Sequence, residues 1–393
     1  MARSVAEHID AVAKLLRPLA DPPAEDVSLW EASGRVTATE VRSPLDLPLF
    51  RNSQMDGFAV DSATIASTPV TLPNAGTVAA GDAGAAAFEP GTALKVMTGA
   101  PVPAGADCVV PVEDTTVEDE SVTVRRSRSA GEFVREAGSD VRTGEVLLAA
   151  GTVLAARHIA ALAAVGIQVV VVRWPPRVAV ITTGAELVEA GKPLSPGHIY
   201  DSNGIALATA LSDNGVDVVS VARSTDDVGV FRELLTAATA AADVVVTSGG
   251  VSMGDFEVVK ETLAPLGGWF GHVAMQPGGP QGLSVVDGVP VLSFPGNPVS
   301  TLVSFEVFAA PLLRAAAGLA AKRSWTSTLA RDVTSAPGRR QFLRGRTTDG
   351  SVELVSGPGS HLVAGMALAN VLVDVPAEAT SITAGSTVRV WEL

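Results

Sequence analysis

The sequence predicts a multidomain chain, α/β in its centre and mostly β on either side of that centre. Three observations carry this. Between residues 178 and 318, short and fully apolar strands alternate with helical stretches, as in a parallel or mixed sheet covered on both faces. Residues 36–153, and those after about 324, break into short β-type runs separated by Gly/Pro turns, with no helix-length periodicity. A chain of 393 residues also exceeds what a single hydrophobic core organises.

The elements follow in order. Val5, Ile9, Val12, Leu15, Leu16 and Leu19 keep helical spacing, Ser4 and Glu7 form a capping-box pair, and Pro22-Pro23 ends a helix over 4–19. After the β region a helix over 155–165 ends at Gly166 and a strand runs from Ile167 to Val172. Trp174-Pro175-Pro176 marks the clearest boundary. Beyond it the spacing predicts strands at 178–181, 216–221, 243–247 and 289–294, with helices at 202–211, 227–241, 255–264 and 298–318. Strands at 341–347, 352–355, 371–375 and 387–391 then form a small β domain.

Hydrophobic residues make up 47 %, charged residues 18 % and aromatics 4 %, which excludes a disordered chain and leaves a core of Val, Ala and Leu. With 28 Lys and Arg against 42 Asp and Glu, the net charge of −14 argues against nucleic acid and against an acidic lipid surface as partners. An anionic ligand must then be held by local dipoles, a few arginines or a metal. Cys108 is the only cysteine, so there is no intrachain disulfide. The five histidines have no metal-ligand spacing, and no Gly-x-Ser-x-Gly elbow occurs at a strand end. No signal-peptide pattern opens the chain, and the apolar stretch 159–172 is too short to cross a bilayer, so a cytoplasmic location is expected.

In a doubly wound domain, ligands bind beyond the carboxyl ends of the strands. Three motifs fall there: Thr182-Thr183-Gly184-Ala185-Glu186, Ser248-Gly249-Gly250-Val251-Ser252-Met253-Gly254-Asp255, and Pro295-Gly296-Asn297-Pro298. The second suits a phosphate or other oxyanion, since adjacent glycines let backbone N–H groups approach a ligand before a helix N-terminus. A tight strand-to-helix turn capped by Asp255 explains the same residues. Glu186, Asp201, Asp255 and Glu257 can converge on Mg²⁺ beside such a loop; Asp201 is equally placed as a helix cap. Asn297 and Pro298 have a complete local explanation as cap and first helical residue. Arg339, Arg340, Arg344 and Arg346 read either as a solubilising strand edge or as a cationic rim for a phosphate.

Six motifs in order, at 52–59 (Asn-Ser-Gln-Met-Asp-Gly-Phe-Ala), 97–103 (Met-Thr-Gly-Ala-Pro-Val-Pro), 182–187, 199–203 (Ile-Tyr-Asp-Ser-Asn), 248–255 and 293–300, resemble molybdopterin molybdenumtransferase, the MoeA family that includes the gephyrin E domain. The resemblance implies a central three-layer, molybdopterin-binding α/β domain over 177–324 and an elongated region from 1–50 and 140–176. It further implies an inserted mostly-β domain over 51–139 and a C-terminal β-barrel over 325–393. It implies a homodimer whose site is shared between subunits. The implied reaction takes adenylylated molybdopterin and molybdate, with Mg²⁺, to molybdenum cofactor and AMP. Asp56 and Thr98 would come from the second subunit and help place molybdate or nucleotide. Glu186, Asp201, Asp255 and Glu257 would hold the metal and pyrophosphate. Gly249, Gly250 and Ser252 would donate to phosphate, Pro295, Asn297 and Pro298 would shape the pterin pocket, and Arg344 and Ser360 would reach the same cleft.

Two departures from the family pattern stand out. Glu257 replaces the usual aspartate, and lysines typical of the family are replaced by Gln276 and Gly279, with His272 near a third. The alternative they open is a catalytically weakened pterin-binding carrier or scaffold paralogue.

Overall fold

The computed structural model describes residues 2–82, 88–252 and 257–393. The chain divides into two compact units, Met1–Glu25 with Arg173–Leu393, and Asp26–Val172.

The first unit opens with α1 (Val5–Leu15). Its start is the capping box expected: the Ser4 hydroxyl accepts from the Glu7 amide at 3.2 Å, and the Ser4 amide donates to the Glu7 carboxylate at 2.7 Å. The helix stops four residues short of the predicted end. Pro18 has no N–H to give and its ring would meet the carbonyl of Lys14, so the chain tightens into a 3-10 turn over Arg17–Ala20.

On the buried side of α1, His8 is fully enclosed, with its ring 4.5 Å from Phe308 and 5.3 Å from Trp269. Burial, reinforced by the neighbouring Arg3 charge, pushes its pKa down to about 3. The folded protein therefore requires neutral imidazole, whereas the unfolded chain protonates near 6.5. Its contribution is whole above pH 6.5 and is lost as pH falls toward 3, at up to about 1.4 kcal/mol per pH unit. Denaturant unfolding at pH 7 and pH 5 should show this loss, and His8→Phe should flatten the slope relative to the parent.

The central sheet is built from β1 (Arg177–Thr183), α2 (Asn203–Asp213), β2 (Asp217–Ser224), α3 (Val228–Ala241), β3 (Val244–Ser248), α4 (Val258–Leu263), β4 (Trp269–His272), β5 (Pro280–Val286), β6 (Val289–Phe294) and the long helix α5 (Pro298–Ala316). The strand order is β2-β1-β3-β6-β5-β4. The first four strands are parallel, and β5 and β4 add an antiparallel hairpin at the edge. The β1 and β3 strands are buried along almost their whole length because helices cover both faces. On one face Val178, Val180, Val244, Val246 and Leu292 pack with α1, α2 and α5; on the other, Ala179, Ile181, Val245 and Val291 pack with α3 and α4. Among the described residues α5 is the only helix long and apolar enough to cross a membrane. Its Val299, Val303, Phe305, Phe308 and Leu313 are buried in this core.

The hairpin β4–β5 was not among the predicted strands, and its composition explains why. Phe270 lies opposite Gly282, and a Cβ there would sit 2.3 Å from the Phe270 ring. Gly282 is the seat of an aromatic ring from the neighbouring strand.

The chain then forms β7 (Ser324–Leu329), β8 (Arg340–Thr348), β9 (Ser351–Leu354), a short helix α6 (Val363–Leu368), β10 (Val371–Val375) and β11 (Thr387–Glu392). The pairings run β8-β9-β7-β11-β10, and β10 returns to β8, closing a five-stranded barrel around Leu343, Val352, Val373 and Val390. Of these elements β7 and α6 were absent from the sequence reading.

The second unit contains a six-stranded sheet, in the order Cys108–Pro111, Gly57–Val60, Ala93–Val96, Val70–Val78, Ser121–Val124, Thr115–Glu118. One core gathers Phe58, Val60, Ile65 and Cys108, another Ala59, Leu94, Val96 and Val109. Burial pushes the Cys108 thiol up to about 12, which makes it an inert core residue. A separate cluster of Val27, Leu148, Leu154 and Leu162 packs the helix Ala156–Ala164.

Candidate active site at the switch point of the sheet

The β1 strand pairs with β2 on one side and β3 on the other; the connection leaving β1 passes to α2 on one face and that leaving β3 to α4 on the other, which opens a crevice at their carboxyl ends. A cavity of about 1050 Å³ occupies it, bounded by Thr183 at the end of β1, Gly249 and Gly250 after β3, and Pro295 after β6. Its size suits a ligand as large as a nucleotide.

The glycine loop is held by close packing. Gly249 has φ +100° and Gly250 φ +66°. A Cβ on Gly249 would lie 2.6 Å from the Thr183 hydroxyl and 2.7 Å from its carbonyl; one on Gly250 would lie 2.8 Å from Val259 of α4. The donors are fewer than the resemblance implies. The Gly249 amide donates to the Phe294 carbonyl at 3.0 Å, continuing the β3–β6 ladder, and the Ser252 amide donates to Glu257 Oε2 at 2.8 Å. Among the described residues this leaves the Gly250 and Val251 amides and the Ser252 hydroxyl for a ligand. Among the described residues the Thr183 hydroxyl, buried at the cavity edge, has no partner.

Three of the predicted carboxylates line this cavity: Glu186, Asp201 and Glu257. Asp255 lies outside the described residues. A short parallel pairing of Leu187–Val188 with Ile199–Tyr200 sets Glu186 before the ladder and Asp201 after it. Asp201 also serves as the cap weighed from sequence. Its Oδ1 accepts from the Asn203 and Gly204 amides, both at 3.1 Å, and its Oδ2 accepts from the Thr182 hydroxyl at 2.7 Å. A Cβ on Gly184 would lie 2.5 Å from Glu186 Oε2, so the glycine makes room for that carboxylate. Among the described residues no three His, Cys, Asp or Glu side chains form a ready metal cage. The donor set fits Mg²⁺ nonetheless, because that ion takes one or two protein carboxylates and completes its shell with water and substrate phosphate.

Asn203, read from sequence only as part of a helix start, ties the loops together. Its Nδ2 donates to Ser248 Oγ at 2.9 Å and to the Gly296 carbonyl at 2.7 Å. The Thr301 hydroxyl extends the network to the Pro295 carbonyl at 2.6 Å. These bonds cross 45 and 93 residues of chain, which local pattern does not reveal. Asn297 corrects its expected role: it stands at the N-cap of α5 without a side-chain cap bond. Its carbonyl takes the Thr301 amide instead, and it lines the cavity with Pro298.

The arginine cluster separates. Arg339 is exposed and lines the cavity. Arg340 is locked to Asp374 through two bonds of 2.6 and 2.7 Å. Arg346 is exposed. Arg344, expected in the cleft, is fully buried behind its wall, donating to the carbonyls of Gly357 and of Gly359, the latter at 3.0 Å. It anchors the loop carrying Ser360, which lines the cavity and accepts the first-turn amide of Val299 at 3.2 Å.

In the second unit, Asp56 and Thr98 are bonded to each other. Asp56 Oδ1 accepts the Thr98 amide at 2.7 Å and its hydroxyl at 2.9 Å, which holds the Asp56 carboxyl below its ordinary pKa. Both residues are exposed.

A comparison with known proteins agrees with this geometry. Residues 179–315 match the family described as "Probable molybdopterin binding domain", residues 3–166 the MoeA N-terminal region (domain I and II), and residues 326–393 the MoeA C-terminal region (domain IV). Fold and crevice thus define a molybdopterin-binding protein of molybdenum cofactor biosynthesis. Over 409 residues the chain is 41 % identical to molybdopterin molybdenumtransferase 2 of Mycobacterium tuberculosis, covering all of both chains. It is 37 % identical to the molybdopterin molybdenumtransferase of a Nostoc species, over 94 % of this chain and 88 % of that one. The crystal structure of a molybdopterin biosynthesis MoeA protein from Pyrococcus horikoshii superposes with a TM-score of 0.84 at 31 % identity, covering 100 % of this chain and 99 % of the other. The chain belongs to the molybdopterin molybdenumtransferase (MoeA) family.

Proposed function

We propose that the chain inserts molybdenum into adenylylated molybdopterin, taking molybdate as the metal source and releasing AMP. The observation that carries this reading is the convergence of Glu186, Asp201 and Glu257 with the Gly249–Ser252 loop on one cavity. Open amides next to carboxylates suit a pyrophosphate held together with a divalent cation. In this reading the Gly250 and Val251 amides and the Ser252 hydroxyl orient the pyrophosphate, and Pro295 and Pro298 stiffen the rim against the pterin. Arg339 meets the oxyanion. One or two of Glu186, Asp201 and Glu257 would hold Mg²⁺, which would offset the pyrophosphate charge. The chain contributes positioning and fixed charge, since among the described residues no nucleophile is poised for covalent catalysis. A second copy of the chain supplies Asp56 and Thr98, whose mutual bonds hold that carboxylate ionised and fixed in direction.

The carrier reading keeps one observation in its favour: Arg339 is the only Arg or Lys among the described cavity residues, which include the carboxylates Glu186, Asp201, Asp226 and Glu257. The deciding experiment is AMP release by the purified protein given adenylylated molybdopterin, molybdate and Mg²⁺. Release that requires all three is expected. Tight pterin binding without release would move the protein to the carrier reading.

A further inference from the structure

Asn203 ties the loops together with one end of its amide and leaves the other end over. It is the first residue of α2, only 8 % exposed, and it lines the cavity. Both hydrogens of Nδ2 are engaged, one by Ser248 Oγ at 2.9 Å and one by the Gly296 carbonyl at 2.7 Å. A carbonyl only accepts, so turning the amide round would set two acceptors against each other at Gly296. The direction of the side chain is therefore fixed. Its anchor is fixed as well: Ser248 is buried, and its hydroxyl lies 3.3 Å from the Pro295 carbonyl and 3.1 Å from the Thr301 hydroxyl. Oδ1 has no bonding partner among the described residues and is not enclosed by protein; the space open to it is the cavity. An ionised phosphate has only acceptor oxygens, so Oδ1 suits an N–H or O–H group instead.

We infer that Asn203 Oδ1 is a fixed, uncharged acceptor for an N–H or O–H donor of the bound pterin nucleotide. This rests on the pterin-nucleotide reading of the cavity and adds to it a group that reads an uncharged part of the ligand. The bond to the Gly296 carbonyl places Asn203 beneath the Pro295–Pro298 loop, the rim that faces the pterin in that reading. A pterin carries N–H donors on its pyrimidine edge, and a ribose carries hydroxyls. The amides of the glycine loop serve phosphate and the carboxylates serve a cation. A neutral acceptor in a nearly closed setting instead selects a ligand by the donor it carries.

The test is calorimetric binding of two ligand pairs to the full chain. One pair is pterin and dimethyllumazine, whose pyrimidine nitrogens carry methyl groups in place of hydrogen; the other is AMP and its dideoxyribose analogue, which lacks the hydroxyls. Mg²⁺ binding, AMP release from the adenylylated substrate and thermal unfolding are followed alongside. The parent should prefer the donor-bearing member of a pair by about tenfold, and Asn203→Ala should erase that preference. Erasure in the pterin pair assigns the donor to the ring N–H, and erasure in the AMP pair assigns it to the ribose. Asn203→Ser, which keeps a polar group beneath the loops but lacks the amide oxygen, should give the same result. Ser248→Ala removes one anchor of Nδ2 and leaves the Gly296 bond and Oδ1, so it should lower the unfolding temperature and keep the preference. Equal weakening of both members of each pair in Asn203→Ala, loss of the preference in Ser248→Ala, a change confined to Mg²⁺ binding, or no preference in the parent would overturn the assignment. An Asn203-dependent preference in a parent that releases no AMP would sink the transferase reading and keep the contact. AMP release by the parent, with the preference untouched in Asn203→Ala, would do the reverse.

Discussion

Asp201→Asn should lower Mg²⁺-dependent AMP release by about 10²–10³-fold while leaving the unfolding temperature nearly unchanged. The substitution separates the capping role that the geometry gives this residue from the metal-holding role proposed for it. As a cap, Asp201 accepts two amides of the first turn of α2 on Oδ1 and the Thr182 hydroxyl on Oδ2. Asparagine retains the Oδ1 acceptor, and the Thr182 hydroxyl can rotate to accept from the new NH₂. The scaffold therefore survives, and what disappears is the negative charge at the cavity wall. A carboxylate that only capped the helix would leave turnover intact after this change. Steady-state AMP release at saturating pterin nucleotide and molybdate, with parallel thermal unfolding, distinguishes the two. Turnover equal to the parent's would remove Asp201 from the metal-holding set.

Sequence and structure part company in physically definite places. Apolar strands buried on both faces are written as uninterrupted runs such as Val244–Val246, and the helices that cover them carry their own period, so the α/β layer was legible. Pairing between glycine and aromatic residues was not, because the signal for the β4–β5 hairpin lies in the register of Phe270 against Gly282 and not in either strand alone. The same division runs through the site. Its loops were visible as motifs at strand ends, where local chemistry concentrates. The residues that hold them in place, Asn203 and Arg344, act across the fold. Arg344 is the clearest case: four nearby arginines read as one cationic rim, yet strand alternation and burial sent them to a cavity edge, an ion pair, the interior and the solvent. Burial also depresses the Arg344 pKa, the opposite of what an anion-paired arginine would show.

Gly249→Ala should cost more stability than any single exposed-loop substitution in this chain, about 3 kcal/mol or more, and should abolish AMP release. Two separate penalties combine. The first is backbone: φ of +100° is a region an L-residue enters at a cost of roughly 1–2 kcal/mol. The second is collision. The added Cβ would lie 2.7 Å from the Thr183 carbonyl and 2.6 Å from its hydroxyl, and 3.3 Å separates the position of a Gly296 Cβ from Gly249 Cα. A backbone carbonyl at the end of β1 can retreat only by loosening the pairing of Thr182 with Ser248. The loop must move instead, carrying the Gly250 amide and Ser252 away from the carboxylates. Gly288→Ala isolates the first penalty, since Gly288 has φ +83° with nothing within 4 Å of an added Cβ. Denaturant unfolding of both variants should therefore show Gly249→Ala exceeding Gly288→Ala by the collision alone. If the two lose equal stability and Gly249→Ala still turns over, the loop is soft enough to accommodate the methyl group, and catalysis does not depend on its preset geometry.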